Sequence, residues 1–297
     1  VKHATKMLKD YGFKVDFHLM PQLPGATPTT DLKMMLEVFD NPDYRPDMIK
    51  VYPCTVIKTS ELFDWLKRGE YKTYSDRELI NMLKKFKAKV PGYVRISRLI
   101  RDIPGHHIQA GNTMTNLRQV IQAEMAKEGL KCKCLRCREV GHQHFADGAI
   151  HKPKMFIDEY EASGGKEYFL SFEDANRDVV YAFCRLRVLS KEKVAEKTFL
   201  PKGLPSEGIS AAALDAMGYP AFIRELHTYG QLINIGKKSK GASQHIGLGK
   251  KLIAEAEKIC KKNKAYQLAV ISGVGVREYY KKFGYKLENT YMAKNLK

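Results

Sequence analysis

The chain has 297 residues, 44% of them hydrophobic, which is enough for two domains with a core each. Its 51 Lys and Arg against 33 Asp and Glu give a net charge of +18. That field favours polyanions and acidic cofactors, and phosphate-neutralising groups would make nucleic-acid binding salt-dependent; a Lys-rich solvated surface is the other reading. No apolar run reaches the roughly 18 residues of a membrane span. The opening VKHATKMLKDYGFKVDF has neither an apolar h-region nor a small-residue cleavage site. Three of the six cysteines crowd together and the others scatter, unlike a secreted disulfide framework.

The first half alternates helix and strand. Residues 2–11 are predicted helix, 15–20 strand, 31–39 helix and 48–54 strand. Residues 60–68 and 75–88 are helices opened by Ser60 and Ser75 as N-caps. A strand at 93–100 and a helix at 115–128, ended by Gly129, follow. Strands separated by helices imply parallel βαβ units. Three such strands are too few for a complete barrel. After the cysteines, 154–162, 166–173 and 179–189 alternate like neighbouring antiparallel strands, with turn signals between them. A Gly- and Pro-containing loop spans about 190–220, and a long strand is predicted at 222–235. A Gly-rich loop then enters an amphipathic helix whose apolar Leu248, Leu252, Ala256, Ile259 and Cys260 share one face. A strand at 267–272, a short helix and a final strand close the chain.

Two stretches carry chemistry. Cys132, Cys134 and Cys137 form C-x-C-x-x-C, which suits a soft tetrahedral ion such as zinc with a fourth ligand from His106, His107, His142 or His144. An iron–sulfur cluster would ordinarily need a fourth Cys, and a redox disulfide needs two thiols rather than three. The segment Gln244, His245, Ile246, Gly247, Leu248, Gly249, followed by Lys250, reads Q-x-x-G-x-G at a helix entrance. Glycines let the backbone approach a phosphate, and the helix start supplies free N–H groups; a plain turn is the bland reading. The strand before it and the strand–helix after it have the order of an acetyl-CoA-binding acetyltransferase. A basic run over 84–101 includes Lys84, Lys85, Arg98 and Arg101, with Tyr93 inside it as a stacking platform. A solvated helix face is the alternative there.

HLMPQLPG (18–25), RPDMIKVYPC (45–54), YKTYS (71–75), RDIPGHH (101–107), REVG (138–141), RELHTYG (224–230), QHIGLG (244–249) and AVISGVGVREYYKKFGY (269–285) occur in one order. Together they resemble the catalytic subunit of Elongator in its archaeal or bacterial stand-alone form, over essentially the whole chain. That resemblance implies an α/β chain. Residues 1–110 would be the C-terminal remainder of a radical SAM (β/α) partial barrel, 111–152 a zinc-binding linker and 153–297 a GNAT-type acetyltransferase domain. It implies an enzyme that uses acetyl-CoA to build a carboxymethyl-type group on C5 of the wobble uridine (U34) of tRNA anticodons. Tyr280 would protonate the departing thiolate, with neighbouring Tyr279 as a packing residue or second candidate. Glu225 or His227 would act as base or water positioner, and strand parity alone does not choose between them. Lys72 and Arg101 match positions on the RNA-facing side. The family's S-adenosylmethionine and 4Fe-4S cluster belong to an early barrel loop that this sequence does not contain, so the chain is expected to begin part-way through the barrel. It is not expected to cleave S-adenosylmethionine. The expected setting is the cytoplasm, with the tRNA anticodon stem-loop as partner and no membrane; a homo-oligomer and Elongator-like accessory subunits stay open. So do two other functions, a histone lysine acetyltransferase and a non-catalytic tRNA-binding subunit.

Overall fold

The computed structural model describes residues 1–142, 153–189, 218–229 and 247–296. The chain divides into two compact units: a smaller one of Asp16–Asn41 and Arg45–Cys137, and a larger one of Val1–Val15, Pro42–Tyr44 and Arg138–Lys297. Among the described residues no helix is long and apolar enough to cross a membrane.

In the smaller unit, β1 (Asp16–Leu19), β2 (Met48–Val51) and β4 (Arg95–Arg98) form a parallel sheet in the order β1-β2-β4. Strand alternation leaves Ile49, Val51, Val94 and Ile96 fully buried. Each such side chain contributes about 1.5–3 kcal/mol by leaving water. On the alternate positions Lys50 Nζ lies 3.2 Å from His18 Nε2 and 3.4 Å from Asp16. Helix α2 (Pro28–Asp40) starts on a Thr27–Thr30 capping box with Pro at its first position. Helix α4 (Asp76–Lys89) starts on Ser75, the predicted N-cap, which forms a capping box with Glu78. Phe39 of α2 and Phe86 of α4 stack at 5.8 Å. Ser60 stands before α3 (Glu61–Lys67), but its hydroxyl donates back to the Ile57 carbonyl instead of capping the helix. Helix α5 (Leu117–Lys127) and the short α6 (Leu135–Arg138) follow. A two-stranded antiparallel pair, β3 (Val56–Ile57) with β5 (Ile108–Ala110), was not expected from the sequence.

The larger unit is built on a seven-stranded sheet. Strands β6 (Lys154–Ala162), β7 (Gly165–Glu173), β8 (Val180–Val188) and β9 (Ala221–Thr228) run antiparallel. Then β10 (Gln267–Val270) joins β9 in parallel, and β12 (Tyr291–Asn295) and β11 (Lys286–Glu288) complete the sheet. Helix α7 (Leu248–Lys262) packs Leu248, Leu252, Ile253, Ala256 and Cys260 into a core with Cys184, Leu186, Ile223, Leu268 and Val270. A bulge between Arg185 and Leu186 leaves Arg224 of β9 as the extra residue.

Helix α1 (Lys2–Asp10) belongs to this unit, although the sequence places residues 1–110 in the other domain. The reason is charge. Lys9, Asp10, Glu167, Arg187 and Arg224 are all buried. Arg187 donates to Asp10, to Glu167 at 2.9 Å and to the carbonyls of Ala162 and Ser163 at 2.8 and 3.1 Å. Arg224 donates to Glu167 at 2.7 Å and to the Phe13 carbonyl at 2.9 Å, and Lys9 sits 3.8 Å from Glu167. Removing one member of such a group strands a buried charge, which costs about 3–5 kcal/mol. The predicted linker also divides differently: α5 and the three cysteines lie in the smaller unit, and the larger resumes at Arg138.

Candidate functional site

In the larger unit, β9 and β10 pair through only Ala269 with Phe222 and Val270 with Ile223, while β9 runs on to Thr228. At the mouth of that parting lies the start of α7. Gly247 takes φ +68°, the left-handed region that glycine enters at little cost. A Cβ on Gly249 would lie 2.6 Å from the Tyr279 hydroxyl and 3.7 Å from Thr228 Oγ1, so both groups stand against the first turn of α7. Lys250 is exposed on that turn. Gln244, His245 and Ile246 lie outside the described residues, as does the predicted strand beyond Tyr229.

Helix α8 (Arg277–Lys281) carries both tyrosines. Tyr280 is 6% exposed and belongs to the core; burial first, and then nearby Cys184, push its hydroxyl pKa up. Tyr279 is more open, and burial also raises its pKa. Both are therefore protonated at neutral pH and able to donate. Tyr279 is held edge-on between Tyr280 at 5.5 Å and Phe283 at 4.9 Å.

Past the bulge, Glu225 and His227 occupy alternate positions of β9. Burial works to raise the Glu225 pKa, but Arg185 at 2.9 Å and Lys14 at 3.1 Å hold it below the ordinary glutamate range. A carboxylate so engaged is a weak base. His227 is exposed and packs against Phe183 at 5.8 Å and Tyr229 at 4.4 Å.

In the smaller unit, the sulfurs of Cys132, Cys134 and Cys137 lie within 4.8 Å of one another. Tetrahedral thiolates 2.3 Å from one ion would be about 3.8 Å apart, so this donor set suits a metal or an iron–sulfur centre. Hydrogen bonds from Cys132 and Cys137 hold the buried Cys134 thiol well below its usual pKa, and the same sharing pushes Cys132 up. Among the described residues no histidine joins the group. His106 and His107 are exposed, their rings 4.1 Å apart. His142 engages Glu139 at 2.6 Å, and His144 lies outside the described residues. Lys87, which the sequence counts in the basic run over 84–101, is instead fully buried with Nζ 3.9 Å from Cys137 Sγ. Nothing in a Lys-rich helix singles out which lysines turn inward.

The basic track needs correction. Lys84 is 4% exposed and spends its ammonium on Glu124 at 3.0 Å and Glu128 at 2.5 Å, so it is not presented to a phosphate. Tyr93 is buried and offers no stacking face. Lys72, Lys85, Arg98 and Arg101 remain exposed, Arg98 paired with Asp102 at 2.7 Å. Arg101 lines a loop cavity of about 310 Å³ with Asp102, Asn112 and Thr113.

The Radical_SAM C-terminal domain model matches residues 46–127, which places the smaller unit in that class. The tRNA uridine(34) acetyltransferase of Methanocaldococcus infernus is 42% identical over 99% of this chain and 52% of its own length. That of Dehalococcoides mccartyi is 40% identical over the whole chain and 61% of its own length. Human Elongator complex protein 3 is 37% identical over the whole chain and 51% of its own length. A solved structure of the archaeal Methanocaldococcus infernus Elp3 with residues 1–46 deleted superposes with a TM-score of 0.84 at 41% identity, over 99% of this chain and 66% of that one. Over nearly its whole length the chain thus has close homologues among the tRNA uridine(34) acetyltransferases and Elongator complex protein 3. It spans about half the length of the Methanocaldococcus infernus and human relatives and about three fifths of the Dehalococcoides mccartyi one.

Proposed function

We propose that this chain serves acetyl-CoA-dependent modification of C5 of the wobble uridine of tRNA, building a carboxymethyl-type group. The observation that carries the reading is the glycine entrance to α7 beside the parted β9 and β10, with the Tyr279 hydroxyl over Gly249. Backbone N–H groups at a helix start, entered through glycines, suit a diphosphate. The β10 side of β9 beyond Ile223, where the described pairing with β10 ends, suits the amide-bearing arm of the cofactor. Bound acetyl-CoA would supply the thioester. Tyr280, kept protonated by burial, donates to the departing sulfur. Tyr279 orients the cofactor at Gly249, and His227, exposed near the end of β9, orients the attacking group. Cys132, Cys134 and Cys137 hold zinc as a structural clip at the end of the smaller unit. Lys72 and Arg101 contact RNA phosphates. The C-x-C-x-x-C group follows the last parallel strand rather than an early one, so no S-adenosylmethionine step is assigned to these residues.

Acetyl-CoA hydrolysis measured with and without tRNA tests the reading. Stimulation by an anticodon stem-loop is expected. Stimulation by a histone peptide instead would favour a protein acetyltransferase, and tRNA binding without turnover would favour a binding subunit.

A further inference from the structure

Lysine is almost never fully buried unless its charge is matched. On α4, Lys84 meets that condition with two glutamates of α5 and the turn after it. Lys87, one turn on and fully buried, has a different neighbour: its Nζ contact is the sulfur of Cys137 at 3.9 Å. The same sulfur takes a contact from Gln122 Nε2 at 3.7 Å. Arg118, also on α5, spends Nη2 on the carbonyls of Ile96 at 3.0 Å and Ser97 at 3.4 Å. Its Nη1 is buried and has no acceptor among the described residues, and the guanidinium lies within electrostatic reach of all three cysteines. Two buried or half-buried cations thus converge on one sulfur group.

The charges say what that group holds. Three thiolates around a divalent ion, with a neutral fourth ligand, carry one net negative charge. Lys87 cancels it in a setting where an unbalanced charge would be costly. Donors to metal-bound sulfur also fix ligand orientation, and their loss typically costs tenfold to a hundredfold in metal affinity.

We propose that Lys87 is a positioning residue for a soft divalent ion held by Cys132, Cys134 and Cys137. It donates to the Cys137 sulfur and balances the charge of the ion–sulfur group, with Arg118 and Gln122 as further outer donors. This rests on the reading of the cysteines as a zinc site.

The test is zinc affinity of the purified full chain, by competition with a chromophoric chelator, together with the thiolate-to-cobalt charge-transfer band after cobalt loading. Lys87→Met, which keeps bulk and loses charge, should weaken zinc binding by about 10–100-fold while the saturated cobalt band still reports three thiolates. Lys87→Arg should stay within about threefold of wild type because it keeps the cation. Arg118→Met should weaken binding in the same direction. Gln122→Ala, at an exposed position that leaves the core intact, should weaken it severalfold, and serves where Lys87→Met does not fold. Wild-type affinity in Lys87→Met, equal loss in Lys87→Met and Lys87→Arg, or wild-type affinity in Gln122→Ala if Lys87→Met does not fold, would overturn the proposal. A wild-type chain that binds neither zinc nor cobalt would instead overturn the zinc reading beneath it.

Discussion

Replacing Gly249 with Ala probes the entrance to α7 through one methyl group. The new Cβ would lie 2.6 Å from the Tyr279 hydroxyl, where ordinary contact begins at 3.4 Å, so the hydroxyl must retreat by about 0.8 Å. Tyr280 and Phe283 bracket the ring edge-on and leave it little room. Overpacking of this kind costs about 1–3 kcal/mol, against which alanine returns roughly 0.5–1 kcal/mol of helix propensity. A displaced hydroxyl also loses its hydrogen bond to the cofactor, weakening acetyl-CoA binding by about threefold to tenfold. Tyr279→Phe should relieve the clash, because the ring carbon that remains lies 3.6 Å from the added methyl. The double variant should then regain thermal stability relative to Gly249→Ala while keeping the weakened binding of Tyr279→Phe. Thermal melts and calorimetric titration of acetyl-CoA across the four proteins read both effects. Additive losses of stability, or unchanged affinity in Gly249→Ala, would refute the placement of Tyr279 at the cofactor.

The remaining predictions concern separate groups. Tyr280→Phe should keep acetyl-CoA affinity and slow thioester cleavage by roughly 10²–10⁴-fold, read as kcat in a hydrolysis assay. Lys72→Ala and Arg101→Ala should each weaken tRNA binding with little sequence preference and lower the salt slope by about one, whereas Lys84→Ala should lower the melting temperature and leave tRNA affinity alone. Glu225→Gln should lower stability at neutral pH and flatten the acid side of the stability curve. The folded pKa of Glu225 is depressed, so its contribution is complete above the unfolded value of about 4.3 and is lost as pH falls through the folded value. The stability gap between wild type and variant should therefore hold above about pH 5 and close below about pH 4, as denaturant titrations at each pH will show.

Much of the fold is legible where the pattern is local. Residues 154–162 alternate so regularly, between turn signals, that β6 occupies the predicted span. Ser75 announces the start of α4 as its N-cap. The β3–β5 pair escapes notice because two or three residues are too few to show a period. What the sequence could not show depends on distant partners. Lys84 and Lys87 look like any surface lysines until Glu124, Glu128 and Cys137 come alongside. Glu225 looks like a base until Arg185 and Lys14 engage it. The glycine entrance and the cysteine triplet were readable as motifs because each is a short run of special residue types. The Tyr279 hydroxyl over Gly249 was not, because 30 positions separate the two residues.

The buried ionic group around Arg187 also has a consequence for synthesis. Asp10 and Arg187 are 177 positions apart. At about 5–20 residues per second, a ribosome takes on the order of 10–35 s to pass from one to the other. For that interval α1 has been made but its counter-charges have not, while residues 16–41 and 45–137, the whole smaller unit, emerge in between. The larger unit can close only after every residue of the smaller one, which interrupts its sequence, has been made. Chain made early must therefore wait without its partners, and a stall anywhere in the smaller unit leaves the amphipathic α1 exposed for as long as the stall lasts.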